Sequence, residues 1–102
     1  MIDLNELFDK IEDWGEDKGI IPNSTPDAQF GKTIEEVAEL YDAIVRDHKT
    51  DMADAYGDII VTVIMGAACA KLDIRECLQD VFEIISKRKG ITTKEGIFVK
   101  DA

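Results

Sequence analysis

The sequence contains few of the residues that build zinc sites and disulfide frameworks. Among its 102 residues there are two cysteines and one histidine. Cys69 and Cys77 lie in helical sequence with apolar neighbours, so we interpret them as buried thiols in a reducing compartment and expect a cytoplasmic protein. Zinc is disfavoured because His48 stands alone and the two cysteines are eight residues apart, unlike the compact ligand spacing of zinc sites.

Positive charge and long apolar runs are also scarce. Lys and Arg number 12 against 22 Asp and Glu, and the formal charge of -10 repels phosphate backbones and anionic lipid. The most apolar stretch, Ile59–Ala70, is shorter than the roughly 20 residues that a bilayer requires, and the amino terminus lacks a basic, apolar leader. We therefore expect no nucleic-acid polymer and no membrane as a partner.

What the sequence does contain is helical periodicity with clear start and stop signals. The spacing of apolar residues predicts an all-α protein with a short extended tail over 91–102 and four helices, roughly 3–18, 26–48, 51–71 and 73–89. Asp3, Thr25 and Asp73 are predicted N-caps, and Thr25 is followed by a proline at the first helical position. In the tail, Gly96–Lys100 predicts a short strand or an extended arm.

The apolar positions of the second and third helices predict where the core lies. In the second helix they follow the spacing that turns one face toward a core: Phe30, Ile34, Val37, Tyr41 and Ile44. From Ile59 the third helix is apolar around its circumference, which is typical of the central helix of a bundle. A short link with Thr50 as N-cap favours an antiparallel hairpin of these two helices. At this chain length such a central helix also favours self-association.

Carboxylates occupy one arc of each hairpin helix. Glu35, Glu36 and Glu39 share an arc of the second helix, which alone is most often a solvated face. Asp54 and Asp58 lie four residues apart on a stripe of the third helix that is otherwise core, so we expect them to be buried with partners. In a hairpin, Glu39 and Asp58 would lie at the same height along the helix axes, each about 15 Å from the turn.

Converging carboxylates predict a divalent cation. Like charges a few ångströms apart raise one another's pKa, and Mg²⁺ or Mn²⁺ removes this penalty by accepting oxygen ligands. Because Mg²⁺ commonly bridges carboxylates to phosphates, the cluster suggests phosphate chemistry and therefore nearby cations. Lys32 lies one turn before the glutamates, and three basic residues end the fourth helix, where they also offset the helix dipole: Lys87, Arg88 and Lys89.

The segments Glu35–Glu39 and Asp54–Asp58 together resemble the paired motif Glu-Glu-x-x-Glu and Glu-x-x-Asp of the MazG-like all-α nucleoside triphosphate pyrophosphohydrolases. Further positions resemble the short MazG-like proteins of phages and bacteria: Trp14, Gln29, Lys32, Ile85–Gly90 and Gly96–Lys100. The resemblance implies one four-helix bundle domain over residues 1–102, assembled as a homodimer or homotetramer.

The resemblance also implies a metal site and a reaction. Glu36, Glu39 and Asp58 match the positions that ligate Mg²⁺, with Mn²⁺ as an alternative, and Glu35 matches a ligand or a base that activates water. Attack between the α- and β-phosphates of a nucleoside triphosphate then gives a monophosphate and pyrophosphate. Lys32 and the basic residues of the fourth helix offset the remaining charge.

Three positions leave alternatives open. The second motif has glutamate where this chain has Ala55, and Asp54, one residue earlier, is the candidate substitute ligand. The change favours, as an alternative, a non-catalytic interaction or regulatory module of the same fold, and a third hypothesis is cleavage of another pyrophosphate, such as a phosphoribosyl nucleotide. Trp14 and Tyr41 are each either a stacking platform for the base or part of the core.

Overall fold

The computed structural model describes residues 1–101 and contains five helices and one hairpin. The helices are α1 (Leu4–Asp17), α2 (Ile20–Asn23), α3 (Pro26–Val45), α4 (Lys49–Cys69) and α5 (Ile74–Ile85). Two short strands, β1 (Gly90–Thr92) and β2 (Phe98–Lys100), pair antiparallel with Ile91 opposite Val99. The predicted all-α architecture is confirmed, and so is a strand in the tail, whose partner β1 the pattern did not predict. Ala102, at the end of the predicted tail, lies outside the described residues.

Side-chain caps begin three of the helices as predicted. Asp3, Thr25 and Asp73 each accept hydrogen bonds from backbone N–H groups in the first turn of α1, α3 and α5. These bonds satisfy donors that have no partner inside the helix. The starts of these helices therefore follow from local sequence.

The end of α3 comes earlier than predicted. Asp47 adopts a left-handed φ of 53°, and the backbone N–H groups of Asp47 and His48 donate to the carbonyls of Ile44 and Ala43, each at 3.0 Å. This pair of bonds closes a helix after Val45. The predicted extension to residue 48 was wrong because no glycine marks the left-handed position.

The start of α4 also differs from the prediction. His48, and not Thr50, is the N-cap, and its Nδ1 accepts the backbone N–H of Asp51 at 3.2 Å. An imidazole nitrogen performs here the role that hydroxyl and carboxylate oxygens usually perform. The turn between the two long helices is consequently only three residues long, 46–48.

Two further boundaries are corrected. Residues 20–25, expected as a link, contain α2, which is separated from α1 by Gly19 at a left-handed φ of 78°. The last helix ends at Ile85, so the basic residues 87–89 lie in the turn that leads to β1 instead of closing a helix.

Helix α4 is the centre of the protomer, as its uniform apolarity predicted. It contacts each of the other four helices, and its buried residues are Ala55, Thr62, Ile64 and Met65. By length and composition alone α4 also satisfies the criteria of a membrane span, which the core helix of a globular protein meets too. Its contacts on several sides make it the central helix of the chain, with 17% of its apolar window buried.

The apolar stripe of α3 does not face this core. Its five residues are exposed, Tyr41 by 69%. The side turned toward α4 instead carries Thr33, Leu40 and the buried Ala43. The predicted orientation was wrong because periodicity identifies an apolar face without identifying what covers it.

The protomer exposes more surface than a compact chain of its size. Its accessible surface is 7759 Å², whereas a folded monomer of this mass exposes about 5,800 Å². Its radius of gyration is 16.0 Å, against about 13 Å for a compact domain. Helix α5 has no buried residue. Apolar side chains on α3 and α5 form part of this additional surface.

The close contact of α1 with α4 generates a testable prediction. Gly15 is buried, and a methyl group on it would overlap the sulfur of Met65, which is 1% exposed and has no solvent to move into. Overpacking of this kind costs about 1–3 kcal/mol, which exceeds the about 1 kcal/mol that alanine gains over glycine in a helix. Gly15→Ala should therefore lower the free energy of unfolding by about 1 kcal/mol.

Gly31 provides the matched control, because nothing lies within 4 Å of a Cβ built there. Gly31→Ala should raise the free energy of unfolding by up to about 1 kcal/mol. Denaturant unfolding followed by circular dichroism measures both variants. Equal stabilisation by the two substitutions would show that α1 does not pack on α4 in this way.

Candidate functional site

One hydrogen bond identifies the register of α3 against α4. Thr33 Oγ1 and Thr62 Oγ1 lie 2.8 Å apart in a hydroxyl–hydroxyl bond between the two helices. Because both helices rise by about 1.5 Å per residue, Asp58 lies between the levels of Glu36 and Glu39, within about 3 Å of each along the axis. This agrees closely with the level arrangement predicted for Glu39 and Asp58.

A cleft of about 590 Å³ opens between α3 and α4, toward their connecting turn. Glu39, Asp54 and Asp58 line it, together with Ala55, which is 4% exposed. The position where the MazG-like motif has glutamate thus belongs to the cleft, and Asp54 lines the same cleft one residue earlier. The hairpin brings together acids that are 15 or more residues apart in sequence.

Glu36 lies at the edge of this acidic group in an unfavourable environment for a charged carboxylate. Its Oε2 is buried and has no hydrogen-bond partner among residues 1–101. Burial, followed by the neighbouring carboxylates of Glu39 and Asp58, raises the pKa of Glu36 above its ordinary value. Glu36 and Glu39 can share a hydrogen bond only when one of them is protonated. The group therefore favours a bound proton or a bound cation.

The acids of α4 are exposed, which corrects the expectation that they are buried. Asp54 and Asp58 both belong to the exposed residues, although Met65, further along the same stripe, is buried against Gly15 of α1. Toward the turn, an apolar groove separates α1 from α4, and Asp54 and Asp58 lie along it. Solvent therefore reaches both aspartates.

Three further charged residues line the cleft and were not predicted. Arg46 donates from Nε to Asp42 at 3.0 Å and from Nη2 to Asp51 at 2.9 Å. These ion pairs raise the pKa of Arg46, and the guanidinium lowers the pKa of Asp51. The sequence signal for the first pair was the placement of Arg46 four residues after Asp42, which is the spacing of side chains that meet on one helix face. The second pair crosses the turn between α3 and α4, so no helical spacing reports it.

Lys32 and Glu35 form an ion pair beside the acidic group. Lys32 Nζ lies 2.8 Å from Glu35 Oε2, and the pKa of Lys32 is raised chiefly by this contact and further by Glu36 and Glu39. Glu35, our candidate base, is not among the residues that line the cleft. Its catalytic role stays a prediction.

The other predicted substrate contacts are divided between two places. Trp14, 45% exposed, lines a pocket of about 350 Å³ that it shares with Asp58, Lys10 and Val61. This pocket adjoins the acidic cleft at Asp58. By contrast, the basic segment (Lys87, Arg88 and Lys89) does not line the cleft.

The donors suit a hard divalent cation, although their side chains do not meet at one point. Among residues 1–101, no three His, Cys, Asp or Glu side chains lie close enough together to hold a metal ion. The donor set is nevertheless all carboxylate oxygen, which matches Mg²⁺ and Mn²⁺, and it includes the unpaired Glu36 oxygen. The ligand assignment of Glu36, Glu39, Asp58 and Asp54 stays a prediction.

Comparisons with known proteins found a family model and a sequence relative. The model of the MazG nucleotide pyrophosphohydrolase domain matches residues 24–92. A Haemophilus phage HP1 protein, described as an uncharacterized 18.2 kDa protein of the rep-hol intergenic region, is 34% identical over 73 residues. That match covers 72% of this chain and 45% of the phage protein, so the chain spans less than half the length of this relative.

A solved structure shares the fold over the full length of both chains. It is a cyanophage S-2L MazG-like pyrophosphohydrolase bound to dGDP and three catalytic Mn²⁺ ions per active site. The TM-score is 0.71, the sequence identity is 20%, and 100% of each chain is covered.

The buried oxygen of Glu36 generates a prediction about pH. Because the folded pKa is raised, the folded chain holds this proton more tightly than the unfolded chain, whose value is near 4.5. The stability contributed by this group is present below that value and is lost as pH rises through the folded pKa. Without added metal, Glu36→Gln should therefore melt above the wild type at neutral pH, and the difference should vanish in acid.

Thermal unfolding followed by circular dichroism from about pH 4 to pH 8 in the presence of a chelator measures this difference. The exposed Glu95→Gln is the matched control, because Glu95 lies in the β1–β2 turn far from the acids in sequence. A melting-temperature difference that is the same at every pH would contradict the assigned environment of Glu36.

Proposed function

The chain belongs to the MazG nucleotide pyrophosphohydrolase family, and we propose that it hydrolyses nucleoside or deoxynucleoside triphosphates to monophosphates and pyrophosphate. The observation that carries the proposal is the cleft between α3 and α4, which gathers Glu39, Asp54 and Asp58 beside the unpaired oxygen of Glu36. The family is one of hydrolases. In this chain, all four carboxylates belong to the two helices that carry the family motif.

Mg²⁺ is the proposed cofactor, and Mn²⁺ is the alternative. Glu36, Glu39 and Asp58 would hold the cation, and Asp54 would supply the carboxylate that Ala55 lacks. When bound, such a cation activates water and neutralises phosphate oxygens. The structural neighbour, whose active site contains three Mn²⁺ ions, supports a divalent-metal site in this fold.

Glu35 is the proposed general base, and Lys32 holds it. Their ion pair is short, at 2.8 Å, but both side chains are more than half exposed, so the pair contributes little to stability and can open. An opened pair frees Glu35 to accept a proton from water and frees Lys32 to approach a phosphate oxygen. The two residues therefore form one unit in the proposed mechanism.

Trp14 is the proposed platform for the nucleobase. Its half-exposed indole borders a pocket that is joined to the acidic cleft at Asp58. Stacking on an aromatic ring binds any base, since every base has a π-face. This placement supports a base at Trp14 and phosphates along the carboxylates.

A homodimer or homotetramer is the proposed assembly. The protomer exposes about 2,000 Å² more than a compact monomer of its mass, which is of the order that a stable interface buries. The stripe of α3 supplies an apolar surface for a second copy. Because the basic segment 87–89 does not line the cleft of its own chain, a substrate contact by this segment would require a second copy.

The catalytic proposal is tested by product analysis. We expect the wild type, incubated with each NTP and dNTP and Mg²⁺, to release monophosphate and pyrophosphate, and a chelator should abolish the release. Glu39→Gln and Asp58→Asn should each reduce turnover by at least about a hundredfold, because each removes a carboxylate from the metal site. Helical circular dichroism should be retained in both variants.

Glu95→Gln and Asp17→Asn are controls of matched chemistry, since both acids are exposed and lie outside the cleft. Full activity in Glu39→Gln and Asp58→Asn would overturn the site. Absence of turnover with every nucleotide and with both metals would favour the non-catalytic module. Turnover confined to another pyrophosphate, such as a phosphoribosyl nucleotide, would change the substrate class alone.

The assembly proposal is tested by light scattering after size-exclusion chromatography. The wild type should have at least twice the chain mass of 11.4 kDa. Ile34→Glu with Tyr41→Glu should dissociate it, because two charges would then lie on the apolar stripe of α3. The control is Lys94→Glu, outside the stripe. A wild type that stays at the chain mass would contradict the proposal.

A further inference from the structure

Arg46 is the single cation among the described residues that line the acidic cleft. We propose that Arg46 binds the terminal phosphate of the nucleotide and sets the preference for triphosphate over diphosphate. This inference rests on the proposed function and adds a specificity-determining residue outside the motif positions. It follows from the hydrogen bonds, exposure and position of Arg46.

The guanidinium has donors left over. Arginine carries five N–H donors in a planar fork. Nε binds Asp42 and Nη2 binds Asp51, whereas Nη1 makes no hydrogen bond with residues 1–101 in the structure. The two ion pairs hold the group at the cleft, and its free N–H groups have the geometry that binds phosphate oxygens.

The carboxylates that hold Arg46 do not prevent exchange for a phosphate. Arg46 is 46% exposed, and Asp42 and Asp51 are exposed to 69% and 47%. Solvent-exposed ion pairs contribute little to stability. The free-energy cost of exchanging one carboxylate for a doubly charged phosphate is therefore small. The paired state therefore positions Arg46 and leaves it available.

The position of Arg46 matches one end of an extended nucleotide. Along α4 the order is Val61 beside Trp14, Asp58 and Asp54 at the carboxylates, and Asp51 at Arg46. From Val61 to Asp51 the helix rises about 15 Å. With the base at Trp14 and the scissile bond at the carboxylates, the last phosphate lies toward the turn. At that end of the cleft, Arg46 is the cation that would contact the last phosphate.

A structural role for Arg46 makes a different prediction. Arg46 joins the end of α3 to the first turn of α4 through Asp51, and loss of that link alone would weaken binding of every nucleotide together. A phosphate contact, by comparison, affects only the ligand that carries the contacted phosphate. The ratio of affinities for triphosphate and diphosphate therefore separates the two roles.

The experiment is titration calorimetry in Mg²⁺ with dGMP and with the α,β-methylene analogues of dGTP and dGDP. The wild type should bind the triphosphate analogue more tightly than the diphosphate analogue. Arg46→Gln should lose roughly ten- to hundredfold of the triphosphate affinity, with the diphosphate and dGMP affinities changed by less than about threefold. Arg46→Lys, which keeps the charge, should recover part of the loss.

Lys49→Gln is the matched control, because it removes one positive charge at the same turn from a residue that is outside the cleft. It should leave the ratio of affinities unchanged. An unchanged ratio in Arg46→Gln, or an equal loss for all three ligands with a lowered melting temperature, would overturn the proposal. A wild type that binds none of these three ligands and none of the corresponding ligands with the other bases would overturn the proposed function itself, a result distinct from either.

Discussion

The packing of α3 against α4 is the contact on which both the fold and the candidate site depend. It places one hydroxyl pair, Thr33 and Thr62, between the helices and buries Ala43 completely. The small side chain of Ala43 allows close approach of the two helices. A slip by one turn would break the bond between the two hydroxyls, although each also lies within hydrogen-bond distance of a carbonyl of its own helix. Every acid of the cleft takes its position from that register. A site made from two helices thus needs no loop to position it.

Local sequence was sufficient wherever a feature depends on neighbouring residues. The caps at Asp3, Thr25 and Asp73 act within one turn, and each was predicted correctly. The turn at Asp47 was missed, because an aspartate in the left-handed conformation has no reliable sequence signal. The orientation of α3 was wrong for a different reason. Its apolar stripe is real, but the chain described here does not cover it, and a single sequence does not reveal what does.

The candidate site was partly predictable for the same reasons. The acids of both helices were found because spacing of three or four residues reports a shared helical face. Arg46 was not found, since its importance depends on Asp51 across the turn, and the length of that turn was not known. The exposure of Asp54 and Asp58 was also missed, because it depends on how far α1 diverges from α4.

Helix α5 is attached to the rest of the chain mainly at its first turn, where Ile74 and Cys77 are half-buried and Arg75 makes polar contacts. Arg75, in its first turn, binds Asp9 and Glu12 of α1 at 2.7 and 3.1 Å, whereas none of its residues is buried. Segments with few buried apolar contacts unfold locally at a lower free energy than the core does. We therefore expect α5 to have a lower local stability than the α3–α4 pair, and we expect its backbone amides to exchange with solvent before those of the hairpin. Any association that covers α5 would be visible first as slower exchange there.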